Sequence, residues 1–337
     1  MRAVQTRKNK KRVALKSRKL VLRMVLLVCL QAGSLAHAGS LYNEPISPIP
    51  DPINDKPAIT ELGNKLFHDA RFSSDKTIAC ASCHSLVSGG MDGKPVSIGV
   101  ESRQGNINAP TVFNSSLNFK QFWDGRAANL MEQIDGPIHS KHEMNSSWPA
   151  IVSIIQGDPS YQAMFTRSYS DGVTVNNIKH AIVTFESSLL TPNSRFDQYL
   201  KGDKTALSKD EVAGYELFKV YGCVSCHQGV NIGGNLFQKL GIVHEYVFTQ
   251  LGSNNRDLGR FNITKKEEDK YFFKVPSLRN IALTAPYLHD GSEQTLEGVV
   301  AKMMYYQLGV PSTKEDRTLI VKYLKTLTGE YNGKLLK

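Results

Sequence analysis

Two short stretches decide most of what this chain can become: Cys80-Ala81-Ser82-Cys83-His84 and Cys223-Val224-Ser225-Cys226-His227. Each is C-x-x-C-H, the pattern that attaches a c-type haem. The spacing has a chemical reason. Two thiols three positions apart on one turn can each form a thioether to a haem vinyl group, and the adjoining imidazole is then placed under the iron. Two disulfides, or a zinc site made by both pairs, would also use these four cysteines. Neither gives the histidines a role. The 143 positions from Cys80 to Cys223 suit one haem in each of two domains.

The chain has 337 residues and a formal net charge of +10, which at face value points to nucleic acid or an anionic membrane. The distribution removes that reading. Residues 1–23 carry ten Lys and Arg and no acid, followed by an apolar run at 24–35 and Ala36-His37-Ala38. A basic n-region, a short apolar core and an A-x-A site form an export signal, residues 1–38, with cleavage expected after Ala38 and a periplasmic mature chain. The run is too short for a bilayer span, so the mature chain is expected to have none. Cys29 leaves with the signal. Taking those ten residues from the 41 basic ones leaves 31 against 31 acidic, and no stretch argues for nucleic-acid binding.

The chain repeats after each haem motif. Pro110-Thr111, Asn114, Leu117, Phe122 and Asp124-Gly125 have the internal spacing of Pro276-Ser277, Asn280, Leu283, Leu288 and Asp290-Gly291, with fourteen positions from Pro to Asp in both. Helix-like stretches precede the motifs (60–68; 208–220, opening with the capping box Ser208…Glu211) and close the copies (176–190, 312–327). A helix before the haem and one at the domain end is the plan of a cytochrome c domain. The expected fold is mostly α, two cytochrome c-like haem domains in tandem, 39–200 and 201–337, joined near Thr191-Pro192-Asn193 and 201–209.

The sixth position on each iron separates electron carriage from chemistry. The second copy carries Met303 and Met304 after Asp290-Gly291. Met303 is the expected axial partner of His227, and a thioether there raises the potential. The first copy has no methionine at that spacing; it has Gln133, Gly136-Pro137, His139, His142, Glu143 and Met144. Beside an open iron face, Glu143 can carry a proton from the inner to the outer oxygen of hydrogen peroxide while Gln133 orients it.

Cys80–His84, Gly89-Gly90-Met91-Asp92-Gly93, Ser97-Ile98-Gly99, Asn108-Ala109-Pro110-Thr111-Val112, Gln121-Phe122-Trp123-Asp124-Gly125-Arg126, Glu143-Met144-Asn145 and Ser277-Leu278-Arg279-Asn280 through Ala285-Pro286-Tyr287 resemble the bacterial dihaem cytochrome c peroxidases. The resemblance runs in order from about Leu62 to Gly329. It implies reduction of hydrogen peroxide to water with electrons from a small periplasmic donor, a cytochrome c or a cupredoxin, in a homodimer. It makes the first haem (Cys80, Cys83, His84) the low-potential peroxidatic one with Glu143 as acid-base catalyst and Gln133 beside it. The second haem (Cys223, Cys226, His227, Met303) becomes the high-potential entry site, with Trp123 between the two. It also implies a calcium ion at the domain boundary, bound through Asn108, Thr284 and Pro286.

One departure matters. Many members of that family have a histidine after the Ser-Ile-Gly motif that occupies the peroxidatic iron in the oxidised state. Here the loop reads Val100-Glu101-Ser102-Arg103-Gln104-Gly105-Asn106-Ile107, and valine cannot ligate iron. The first haem is expected to be open when fully oxidised, with His139 or His142 as the alternative ligands. Two other functions compete with peroxide reduction. One is a dihaem electron carrier without chemistry. The other is oxidation of a protein side chain, as in amine dehydrogenase maturation, where a tyrosine replaces the methionine ligand; Tyr305 and Tyr306 lie close to Met303.

Overall fold

A computed structural model describes residues 44–53, 55–246 and 257–337; the export signal expected at 1–38 lies outside them. The helices are α1 Pro57–Phe67, α2 Cys80–Cys83, α3 Leu130–Gln133, α4 Asp135–His139, α5 Trp148–Gln156, α6 Pro159–Ser168 and α7 Val175–Ser188. They continue with α8 Arg195–Leu200, α9 Lys209–Val220, α10 Phe261–Thr264, α11 Leu296–Lys302, extended by a π-helical turn Met303–Leu308, and α12 Lys314–Lys325. Two short antiparallel ribbons, β1 Phe237–Lys239 with β2 Phe272–Lys274 and β3 Glu330–Tyr331 with β4 Lys334–Leu335, are the paired strands among the described residues. Residues 45–337 form one compact unit.

Local chemistry sets the helix ends. Pro57 opens α1, where its missing N–H costs nothing. Ser208 caps α9 and Glu211 returns the bond to the Ser208 amide, which is the expected capping box. Thr174 and Thr313 cap α7 and α12 through the amides of Asn177 and Asp316. The observed boundaries lie within a few residues of the expected stretches.

The helices pack as two matching crossed pairs, α1 on α7 and α9 on α12. Each crossing has a glycine at its closest point: Gly63 against the Ala181 carbonyl and Gly214 against the Leu319 carbonyl. Around the first pair lies a core with Leu62, Leu66, Ile178 and Ile182, and around the second one with Tyr215, Phe218, Ile320 and Tyr323. Each such fully buried side chain stabilises by about 1.5–3 kcal/mol relative to exposure.

The junction is buried. Thr191 is 1% exposed, and the stretch near it passes into α8 with a Ser194–Asp197 capping box. Asp197 Oδ1 accepts from Arg279 at 2.7 Å with both side chains fully buried, and Arg279 also donates to the carbonyls of Val230 and Ser47. Each guanidinium nitrogen therefore has a partner, which helps a buried ion pair to be tolerated.

Candidate functional site

The two C-x-x-C-H motifs form equivalent turns. His84 N–H donates to the Cys80 carbonyl and His227 N–H to the Cys223 carbonyl, both at 2.9 Å. His84 Nδ1 faces the Gly90 carbonyl at 3.4 Å, and His227 Nδ1 the Ile232 carbonyl at 3.3 Å. These carbonyls match in the repeat, because Gly90 also accepts from Val112 N–H and Ile232 from Leu278 N–H. A ring oriented through Nδ1 leaves the Nε2 lone pair for a metal. Burial lowers the pKa of His84 and pushes that of His227 down to about 4, which favours the neutral imidazole in both. The four thiols are unpaired, and burial pushes Cys80 and Cys223 up to about 12. A cavity of about 540 Å³ lined by Cys223, Cys226, His227 and Met303 opens beside the second motif. Neutral imidazoles, buried thiols and an apolar cavity fit haem c.

In the first half Glu143 is half-buried on the loop after α4. Its carbonyl accepts from Val100 N–H at 2.9 Å, its N–H donates to the Ser140 carbonyl at 3.1 Å, and the next residue, Met144, is in the core. Gly99 passes so close to the His142 carbonyl that a Cβ would lie 2.1 Å from it, which locks the 97–105 loop onto the 140–145 loop. Burial raises the Glu143 pKa, partly offset by the Ser140 hydroxyl and the Arg126 guanidinium. Its charge also lies within electrostatic reach of the Cys80 and Cys83 thiols, whose pKa values it raises. Gln133 ends α3, half-buried, and Phe122 packs on Gly136. Arg126 stacks over Phe122 at 3.4 Å and pairs with Asp124; its effect on Glu143 was not foreseen from the sequence.

His139 and His142 are exposed. The His139 ring packs edge-on against Trp148, and His142 Nδ1 faces the Gln104 carbonyl at 3.0 Å. Val100 is fully buried.

Between the halves, Trp123 and His289 occupy equivalent places in the two copies and meet edge-to-face, ring centres 6.4 Å apart. The backbone repeats the symmetry: Asn108 N–H donates to the His289 carbonyl at 2.8 Å, and Lys274 N–H to the Trp123 carbonyl at 2.7 Å. The Trp123 indole N–H donates to the Asn108 carbonyl at 3.0 Å. Asn108, Thr284 and Pro286 line the same cavity as Met303. Asn108 Nδ2 donates to the Lys94 carbonyl and the Thr284 hydroxyl to the Ile281 carbonyl. Met303 begins the π-helical turn and is half-buried on the cavity wall, whereas Met304 is a core residue.

Fold and site together define a helical protein with two c-type haem attachment turns in equivalent halves. The sequence model of the di-haem cytochrome c peroxidases matches residues 57–205. A cytochrome c551 peroxidase of Nitrosomonas europaea is 46% identical over 309 residues, covering 91% of each chain. Cytochrome c peroxidase Ccp of Escherichia coli K12 is 46% identical over 290 residues, 86% of this chain; the chain spans 62% of that relative's length. Among solved structures, a MauG-like protein associated with microbial copper homeostasis superposes with a TM-score of 0.73 at 27% identity, over 88% of this chain and 95% of that one.

The chain belongs to the di-haem cytochrome c peroxidase family. It is an oxidoreductase with two haem c groups and a mostly α fold of tandem cytochrome c-like domains. Among the described residues no helix is long and apolar enough to cross a membrane.

Proposed function

We propose that this enzyme reduces hydrogen peroxide to two waters, consuming two electrons and two protons, in the periplasm. The observation that carries it is Glu143: a half-buried residue whose backbone is held by bonds on both sides, with its charge within electrostatic reach of the first attachment turn. Cys80 and Cys83 would hold one haem with His84 on its iron, and Cys223 and Cys226 the other with His227 and Met303. Bound haem would relay the donor's electrons and bind peroxide at an iron.

Glu143 takes a proton at its carboxylate from the inner oxygen of peroxide and delivers it to the outer oxygen, so that water departs. Burial raises its pKa, which makes it the stronger base, and the Ser140 hydroxyl and the Arg126 guanidinium partly offset that rise. Gln133 orients the peroxide through its amide. Trp123, tied to Asn108 and packed on His289, fills the space between the halves and gives electrons a short apolar path. Electrons enter at the second haem from a small cytochrome c or cupredoxin, the active form is a homodimer, and Asn108, Thr284 and Pro286 give a calcium ion hard oxygen ligands.

The test is peroxide turnover with a reduced small cytochrome as donor. Glu143→Ala is expected to lose about 10²–10⁴-fold in rate with both haems attached. Unchanged turnover in that variant would remove Glu143 from the mechanism.

A further inference from the structure

Lys274, the last residue of β2, is 7% exposed and lines the cavity beside the second attachment turn. Its backbone is pinned to Trp123 at 2.7 Å. All 31 acidic side chains of the chain lie among the described residues, and none pairs with the Lys274 ammonium. Desolvation, offset by no anion, pushes this group down to about 8.

A buried ammonium without a counter-charge is costly, and no carboxylate of the chain pairs with this one. Lys274 lines the cavity, so a counter-charge is available to it from what fills that space. The only charged substituents on a haem are its two propionates. The equivalent position of the first half is a neutral residue: Lys274 stands two before Pro276 as Asn108 stands two before Pro110. The cation therefore belongs to the second site alone.

Resting on the reading that a haem is attached at Cys223 and Cys226, we propose that Lys274 binds a propionate of that haem. The pair holds the cofactor's carboxylate inside the cavity and keeps a positive charge beside the second iron. Positive charge favours the reduced iron, so Lys274 raises the potential of the electron-entry haem relative to the peroxidatic one.

The experiment is a potentiometric titration of the holoenzyme, after chain mass has established two haems. Lys274→Met is expected to lower the midpoint of the methionine-ligated haem and leave the other unchanged, with Lys274→Arg restoring it. A wild-type midpoint in Lys274→Met overturns the proposal. Where that variant fails to fold, a crystal structure of the wild-type holoenzyme decides: a propionate oxygen within about 4 Å of Nζ supports the pair, and propionates beyond that distance overturn it. A wild-type chain whose mass shows haem at the first motif only overturns the site reading itself, and the Lys274 proposal falls with it.

Discussion

Asn114 and Asn280 place their side-chain amides on one hydroxyl, that of Thr191, at 2.7 and 3.0 Å. Both asparagines are left-handed, with φ of 59° and 60°, a conformation their short polar side chain tolerates. Each also fixes the end of its half: Asn114 N–H donates to the Leu189 carbonyl and Asn280 N–H to the Leu327 carbonyl. Thr191 thus lies where the two equivalent halves meet. Thr191→Val keeps the volume and orphans two buried donors. The expected loss is about 2–6 kcal/mol, at 1–3 kcal/mol per unsatisfied group. Denaturant unfolding of the holoenzyme measures it, and Thr191→Ser should retain most of the stability.

The Val100 loop makes a spectroscopic expectation. Val100 is fully buried, its amide is used by Glu143, and the exposed His139 and His142 rings are engaged by Trp148 and the Gln104 carbonyl. The fully oxidised protein should show a high-spin first haem and turn over peroxide without prior reduction. Val100→His should shift that haem toward low spin and make turnover depend on reduction. A purely low-spin first haem in the wild type would sink the idea of an open site.

The repeat was legible because Pro, Asn, Asp and Gly are dictated by backbone geometry, and the structure uses them so: Asn114 and Asn280, Gly125 and Gly291 all have positive φ. The C-x-x-C-H turns were legible because covalent chemistry fixes their spacing. Thr191 was readable only as a linker, since its two partners are 77 and 89 positions away. Glu143 stood out through resemblance, its type alone being that of any loop carboxylate. Lys274 and Glu186 were missed because burial is decided by packing, although the register of Lys274 with Asn108 was available as a signal.

Glu186, 7% exposed on α7, has its Oε2 without a hydrogen-bond partner among the described residues, and burial pushes its pKa up to about 8. In the other half the matching residue, three before Leu327, is Leu324 in the core. The folded state holds this proton more tightly than the unfolded chain, so stability is full below the ordinary carboxyl pKa and falls as pH rises to about 8. Glu186→Gln should match the wild type near pH 5 and exceed it above pH 8 by a few kcal/mol. Melting temperatures across that range check it; a difference independent of pH would mean that Glu186 does not titrate there.

The crossing glycines give the sharpest packing expectation. A Cβ on Gly214 would lie 2.0 Å from the Leu319 carbonyl oxygen and 3.0 Å from the Tyr323 Cβ; on Gly63 it would lie 2.0 Å from the Ala181 carbonyl oxygen. These obstacles are helix backbone, so the helices must separate, and overpacking of this kind costs about 1–3 kcal/mol or more. Separation of α9 from α12 would also move Phe218, which lines the second cavity. Gly214→Ala should therefore lower stability and perturb the spectrum of the second haem while sparing the first, and Gly63→Ala should do the reverse. Because the crossings lie in separate cores, the double variant should lose close to the sum of the single losses. A double variant no less stable than either single one would show that the two helix pairs yield as one unit.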